Sequence, residues 1–209
     1  MNTAQRVAKA LLSINAVSLS SNKPYVWASG ILSPIYCDNR ITLAYPEIRQ
    51  MIAKDLSALI LEYYPDVEVI AGTATAGIPQ ACWVADRLNL PMVYIRSKPK
   101  DHGKGNQIEG GVQVGKKVVV IDDLISTGTS VLDACQAARD AGFVVLGVAA
   151  IFSYQLPKGV ENFKLADLPC VSLSDYASLI ELARQEGIID ENQIEHLMQW
   201  RKDPYAWMR

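Results

Sequence analysis

Residues 118–130, VVVIDDLISTGTS, constrain this chain more than any other stretch. Val118, Val119, Val120 and Ile121 form a short apolar run suited to a buried strand. Two adjacent carboxylates follow, Asp122 and Asp123, and then Leu124, Ile125 and a loop of small hydroxylated residues: Ser126, Thr127, Gly128, Thr129 and Ser130. Beyond the loop, VLDACQAARDAG has helical spacing and stops at Gly142. Backbone N–H groups of residues 126–130 at a helix N-terminus would converge on a phosphate dianion, and the helix dipole would favour it. Gly128 lets the main chain come close, and the hydroxyls add donors. The two acids beside such an anion site suit the vicinal hydroxyls of a ribose. The same pattern could also be a helix cap with a solvated neighbour. A near match to a Walker loop at residues 110–117 fails, because Lys117 stands where Ser or Thr is required and the stretch precedes a strand.

Alternation of strand and helix patterns surrounds this segment. Pro46 can open a helix with an apolar face of Ile48, Ile52, Leu56, Leu59 and Ile60. Residues 67–72 read as a buried strand, followed by a Gly/Thr/Ala turn and a helix to about Leu88. Residues 92–96 and 143–153 are further strands. The order predicts an α/β domain with a central, mainly parallel sheet flanked by helices. Loops 73–77, 96–110 and 122–130 all begin at strand C-termini, so they should face one crevice. An amphipathic helix (Val7, Leu11, Ile14) is expected at the N-terminus and helices in the tail, which ends in Trp200, Tyr205 and Trp207. Packing or a dimer contact is the expected role of that tail. The chain divides into an N-terminal helix and hood (1–45), a core (46–175) and C-terminal helices (176–209), all within a single domain.

Between Arg96 and Gly110 the chain carries Arg96, Lys98, Lys100, His102 and Lys104 among glycines, with few apolar residues. Such a stretch is either a solvated connector or a cationic lid over an anionic ligand. A net charge of −2 provides no basic footprint for nucleic acid. Cys37, Cys82, Cys135 and Cys170 are widely spaced, which suits reduced thiols of a cytoplasmic protein. No apolar run has membrane-spanning length, and Ser13 and Asn15 interrupt the stretch at 10–19 that might pass for a signal core.

The segment at 118–130 resembles the phosphoribosyl pyrophosphate (PRPP) signature of the type I phosphoribosyltransferases. Together with YIRSKPKDHGKGNQIEG (94–110) and WASGILSPIYCDNR (27–40), the chain resembles the orotate-using members of that family, from the N-terminal helix to about Tyr176. The signature alone is shared with purine enzymes and with regulators; a regulator would be expected to carry a nucleic-acid-binding patch. The resemblance implies magnesium-dependent transfer of ribose 5-phosphate from PRPP to orotate in pyrimidine (UMP) biosynthesis. It also implies a homodimer whose lid residues reach the neighbouring subunit. Arg96, Lys100 and His102 would be catalytic and contact pyrophosphate. Residues 122–130 would hold the ribose 5-phosphate, Ser126 would also touch orotate, and Tyr36 and Tyr154 would lie at the base. Mg2+ would be held mainly by substrate, with no metal-ligand cluster in the protein. The chain departs from the pattern at Ser97, Ala28, Leu32, Ala76 and Tyr154, where some members carry Lys or Arg. Lys23, Arg40 and Lys98 are the cations placed to compensate.

Overall fold

The computed structural model describes residues 1–20, 23–27, 30–98 and 107–207. Helix α1 (Thr3–Ser13) starts with a reciprocal cap between Asn2 and Gln5 and buries Val7, Ala8 and Leu11. Four short strands follow: β1 (Val17–Leu19), β2 (Tyr25–Val26), β3 (Leu32–Ser33) and β4 (Ile35–Cys37). Antiparallel pairing of β1 with β4 and of β2 with β3 makes two small ladders outside the main sheet. A 3-10 helix (Asn39–Ala44) leads to α2 (Pro46–Tyr63), which Pro46 opens.

The core then alternates as expected: β5 (Val69–Thr73), α3 (Gly77–Leu88), β6 (Met92–Ile95), β7 (Ile108–Glu109), β8 (Lys117–Ile125), α4 (Thr129–Asp140), β9 (Val144–Ser153), α5 (Pro157–Leu165) and β10 (Cys170–Asp175). The tail forms α6 (Tyr176–Gln185) and α7 (Glu191–Lys202). Sheet order is β10-β9-β8-β5-β6-β7, parallel throughout except the edge strand β7. Alternate residues of β8 serve two cores. Val119 and Ile121 pack with α1, α2, α3, α6 and α7, whereas Val118 and Val120 pack with α4 and α5. A sheet buried on both faces by helices accounts for the continuous apolar runs of β5, β8 and β9.

Two strand boundaries differ from the sequence expectation. The strand beginning at 67 starts instead at Val69 and ends at Thr73. β8, read as VVVIDD, runs past both acids to Ile125, because β9 continues beside it and pairs Leu124 with Phe152 and Ile125 with Ser153. The tail packs within its own chain. Trp200 is fully buried against Trp27, Tyr154 and Tyr176, and its Nε1 donates to the Leu32 carbonyl at 2.9 Å. Tyr205, by contrast, is exposed. Among the described residues no helix is long and apolar enough to cross a membrane.

Candidate active site

The site is built where β5, β6 and β8 end together. A pleated strand sends neighbours to opposite sides, so Asp122 and Asp123 diverge. Asp122 turns toward β5 and accepts from Thr73 Oγ1 at 2.7 Å and from the Asp123 N–H at 3.0 Å. On the hood side, the Asp123 carbonyl accepts from Asn39 Nδ2 at 2.6 Å, and Asn39 is itself buried. Burial raises the Asp122 carboxyl above the usual carboxylate range, against the Thr73 bond that favours the charged form. Asp123 is pushed up to about 7, first by burial and then by the charge of Asp122, with Arg40 opposing the rise. Both carboxyls offer oxygens that can accept hydrogen bonds from a ligand's hydroxyls.

Gly128 is the hinge of the next loop. Its φ of 75° lies in the left-handed region, and a Cβ there would stand 2.6 Å from a ring atom of Phe163 on α5. Helix α4 begins immediately after it with no side-chain cap, so its first N–H groups are open to an anion. The Thr127 and Thr129 hydroxyls share a hydrogen bond at 3.1 Å, and Asn162 Nδ2 on α5 donates to the Thr127 carbonyl at 2.9 Å. Behind the loop, Gly159 lets α5 approach the Ser126 carbonyl, which a Cβ would meet at 2.5 Å. Leu124 and Ile125 face the core, leaving only their main chain to the site; the Ile125 carbonyl accepts from the Tyr154 N–H at 2.9 Å.

A cavity of about 120 Å³ joins the three loops, lined among others by Thr73, Ala74, Arg96, Gln107, Asp122 and Ser130. Asp133 on α4 also reaches it. The start of α3 is pressed against β8: a Cβ on Gly77 would lie 2.4 Å from the Ile121 carbonyl. Like α4, α3 has no side-chain cap, so two open helix N-termini bracket the cavity. The Ala74–Thr75 peptide is cis. Arg96 is the first residue beyond β6; Gln107 grips its backbone from both sides, at 2.9 and 2.8 Å, and its guanidinium lies 3.7 Å from Glu109. Lys100, His102, Lys104 and Ala28 lie outside the described residues.

On the hood side, Tyr36 is 42 % exposed and its ring centroid lies 5.6 Å from that of Tyr25. Tyr154 is only 2 % exposed, enclosed by Trp27, Phe152 and Trp200. Its ring has no open face for a ligand, so the expectation of a direct base contact gives way to a supporting position beneath the hood. Sequence reading assigned no role to Thr73, Asn39, Gln107 or Asp133. A hydroxyl at the C-terminal end of a strand was a usable signal for Thr73; the others depend on contacts made by folding.

A phosphoribosyl transferase domain model matches residues 43–172. The chain is 59 % identical over 204 residues to an orotate phosphoribosyltransferase of Enterococcus faecalis, covering 98 % of this chain and 97 % of that protein. It is 58 % identical over 200 residues to the orotate phosphoribosyltransferase of Bacillus subtilis, covering 96 % and 93 %. Its structure resembles the crystal structure of orotate phosphoribosyltransferase from Aeropyrum pernix, with a TM-score of 0.73 and 26 % identity over 88 % of this chain and 99 % of the other.

Proposed function

Because this chain belongs to the phosphoribosyltransferase family, and within it to the orotate phosphoribosyltransferases, we infer that the crevice at the ends of β5, β6 and β8 is where its reaction takes place. The reaction is transfer of ribose 5-phosphate from PRPP to orotate, giving orotidine 5′-monophosphate (OMP) and pyrophosphate, in pyrimidine biosynthesis. The convergence of Thr73, Arg96, Asp122 and Ser130 on one cavity carries this placement.

In this reading Ser126, Thr127, Gly128, Thr129 and Ser130 wrap the 5-phosphate at the start of α4, with Asn162 bracing them. Asp122 and Asp123 accept from the ribose hydroxyls. The pyrophosphate lies toward the open start of α3 and Arg96, with Lys100 and His102 closing over it. Orotate stands against Tyr36 and Ser126, and Tyr154 stiffens the hood from below. Displacement at C1 of the ribose builds positive charge on the sugar and negative charge on the leaving group. No covalent nucleophile is needed; alignment and stabilisation of the departing pyrophosphate lower the barrier.

The cavity's donors are hard oxygens, the carboxylates of Asp122 and Asp133 and the hydroxyls of Thr73 and Ser130, which fit Mg2+. Among the described residues no cluster of three or more His, Cys, Asp or Glu could hold a metal alone. Mg2+ would be carried mainly by substrate oxygens and would neutralise pyrophosphate charge there. A cytoplasmic homodimer with lid residues shared between subunits completes the reading. Loss of orotate's ultraviolet absorbance with PRPP and Mg2+ tests it, beside hypoxanthine, adenine and uracil. Turnover of orotate alone, stopped by a chelator, is expected; turnover of a purine instead would overturn the placement of the base.

A further inference from the structure

Orotate differs from uracil by one carboxylate, and a carboxylate partly withdrawn from water needs a cation or several N–H donors. The side chains placed at the base, Tyr36 and Ser126 with Tyr154 beneath, carry no positive charge. Arg40 adjoins this group. It follows Asn39, whose Nδ2 donates to the Asp123 carbonyl at 2.6 Å, and comes shortly after Tyr36 on β4, so it sits at the seam between the hood and β8.

Arg40 is also unusually well held for an exposed side chain. It sits in the first turn of the 3-10 helix Asn39–Ala44, which Asp38 caps by accepting from the Arg40 N–H at 3.1 Å. The preceding residue, Asn39, is tied to β8 through the Asp123 carbonyl, and its own carbonyl accepts from buried Thr42 Oγ1 at 2.6 Å. The backbone of Arg40 is therefore fixed relative to the strand that carries the acids. The guanidinium is fixed by Asp38 in turn: Nε donates to Oδ1 at 2.6 Å and Nη2 to Oδ2 at 2.9 Å, while the side chain stays 63 % exposed. That bond pair occupies one edge of the planar group. The other edge, Nη1 and Nη2, has the spacing that takes a second carboxylate in two parallel bonds.

We propose that Arg40 receives the carboxylate of orotate, with Asp38 as the positioning residue that aims it. This rests on the base lying against Tyr36 and adds the group that tells orotate from uracil. Two orienting bonds already made in the free protein reduce the entropy lost on binding.

The test compares OMP with UMP, which differ only by this carboxylate, by calorimetric titration of wild type, Arg40→Ala, Arg40→Lys and Asp38→Asn. Arg40→Ala should weaken OMP at least 30-fold and raise KM for orotate similarly, with UMP affinity and KM for PRPP within twofold. Arg40→Lys, which keeps charge but not the fork, should recover only part. Asp38→Asn should lie between wild type and Arg40→Ala for OMP. Equal loss of OMP and UMP, or an unchanged OMP affinity, would overturn the assignment. Should Arg40→Ala not fold, Arg40→Gln keeps donors to Asp38 and puts the same question. Wild-type enzyme that does not turn over orotate would instead overturn the site reading itself, separating the two failures.

Discussion

Asp123 and Gly77 show how single positions in the crevice bear on stability in opposite ways. The Asp123 carboxyl titrates at about 7 in the folded chain, against about 4 when unfolded. The unfolded chain then holds fewer protons between those values, so stability falls as pH rises from about 4 through about 7. Asp122, also raised, acts in the same direction. Asp123→Asn should abolish most of this slope, leaving the variant more stable than wild type at pH 8. The gain is on the order of 1–2 kcal/mol, less than the full shift because part of the group meets water. Melting temperatures of both proteins from pH 4.5 to 8 check it, and parallel slopes would refute it. Gly77 carries the opposite lesson, that of too little space. Its absent Cβ would meet the Ile121 carbonyl at 2.4 Å and Thr73 Oγ1 at 2.5 Å. Gly77→Ala should therefore cost about 1–3 kcal/mol by overpacking and loosen the Thr73–Asp122 bond. Denaturant unfolding reads the first effect and KM for PRPP the second.

In the proposed reaction the segment from Arg96 to β7 acts as one element. Gln107 and the β6–β7 pairing pin its two ends, so a closing movement would pivot there. Lys100→Ala and His102→Ala should each lower kcat about a hundredfold or more while leaving the melting temperature within a few degrees. Near-normal turnover in both would sink the role assigned to the lid. The acids and the hydroxyl loop, which the structure places at the end of β8 and the start of α4, were legible in the sequence because residue type alone marks them. The extension of β8 beyond the acids to Ile125 was not, because two carboxylates interrupt the apolar pattern before it and only pairing with β9 carries the strand on. Helix α5 escaped notice as well. Pro157 marks its start, but PKGVENFKL buries only Gly159 and Phe163, too few to set a period. Asn39 meets Asp123 across 84 positions, a contact no local pattern encodes.

At the scale of the molecule, the first and last parts of the chain complete each other. Trp27 of the hood stacks on Tyr154 at 4.8 Å and meets the edge of Trp200 at 5.6 Å, and Tyr176 of α6 bonds the Leu197 carbonyl of α7 at 2.8 Å. Trp200→Ala should cost about 3–5 kcal/mol through the cavity it leaves. Because the hood rests on this ring, KM for orotate should rise more than KM for PRPP. Equal changes in both constants would argue that the tail supports the whole sheet and not the hood in particular.

The bond from Trp200 to Leu32 spans 168 positions of the chain. In chain order the hood precedes every strand of the main sheet and Trp200 follows the last of them, so a chain cut before α7 would keep all six strands and lose the ring that Leu32 rests on.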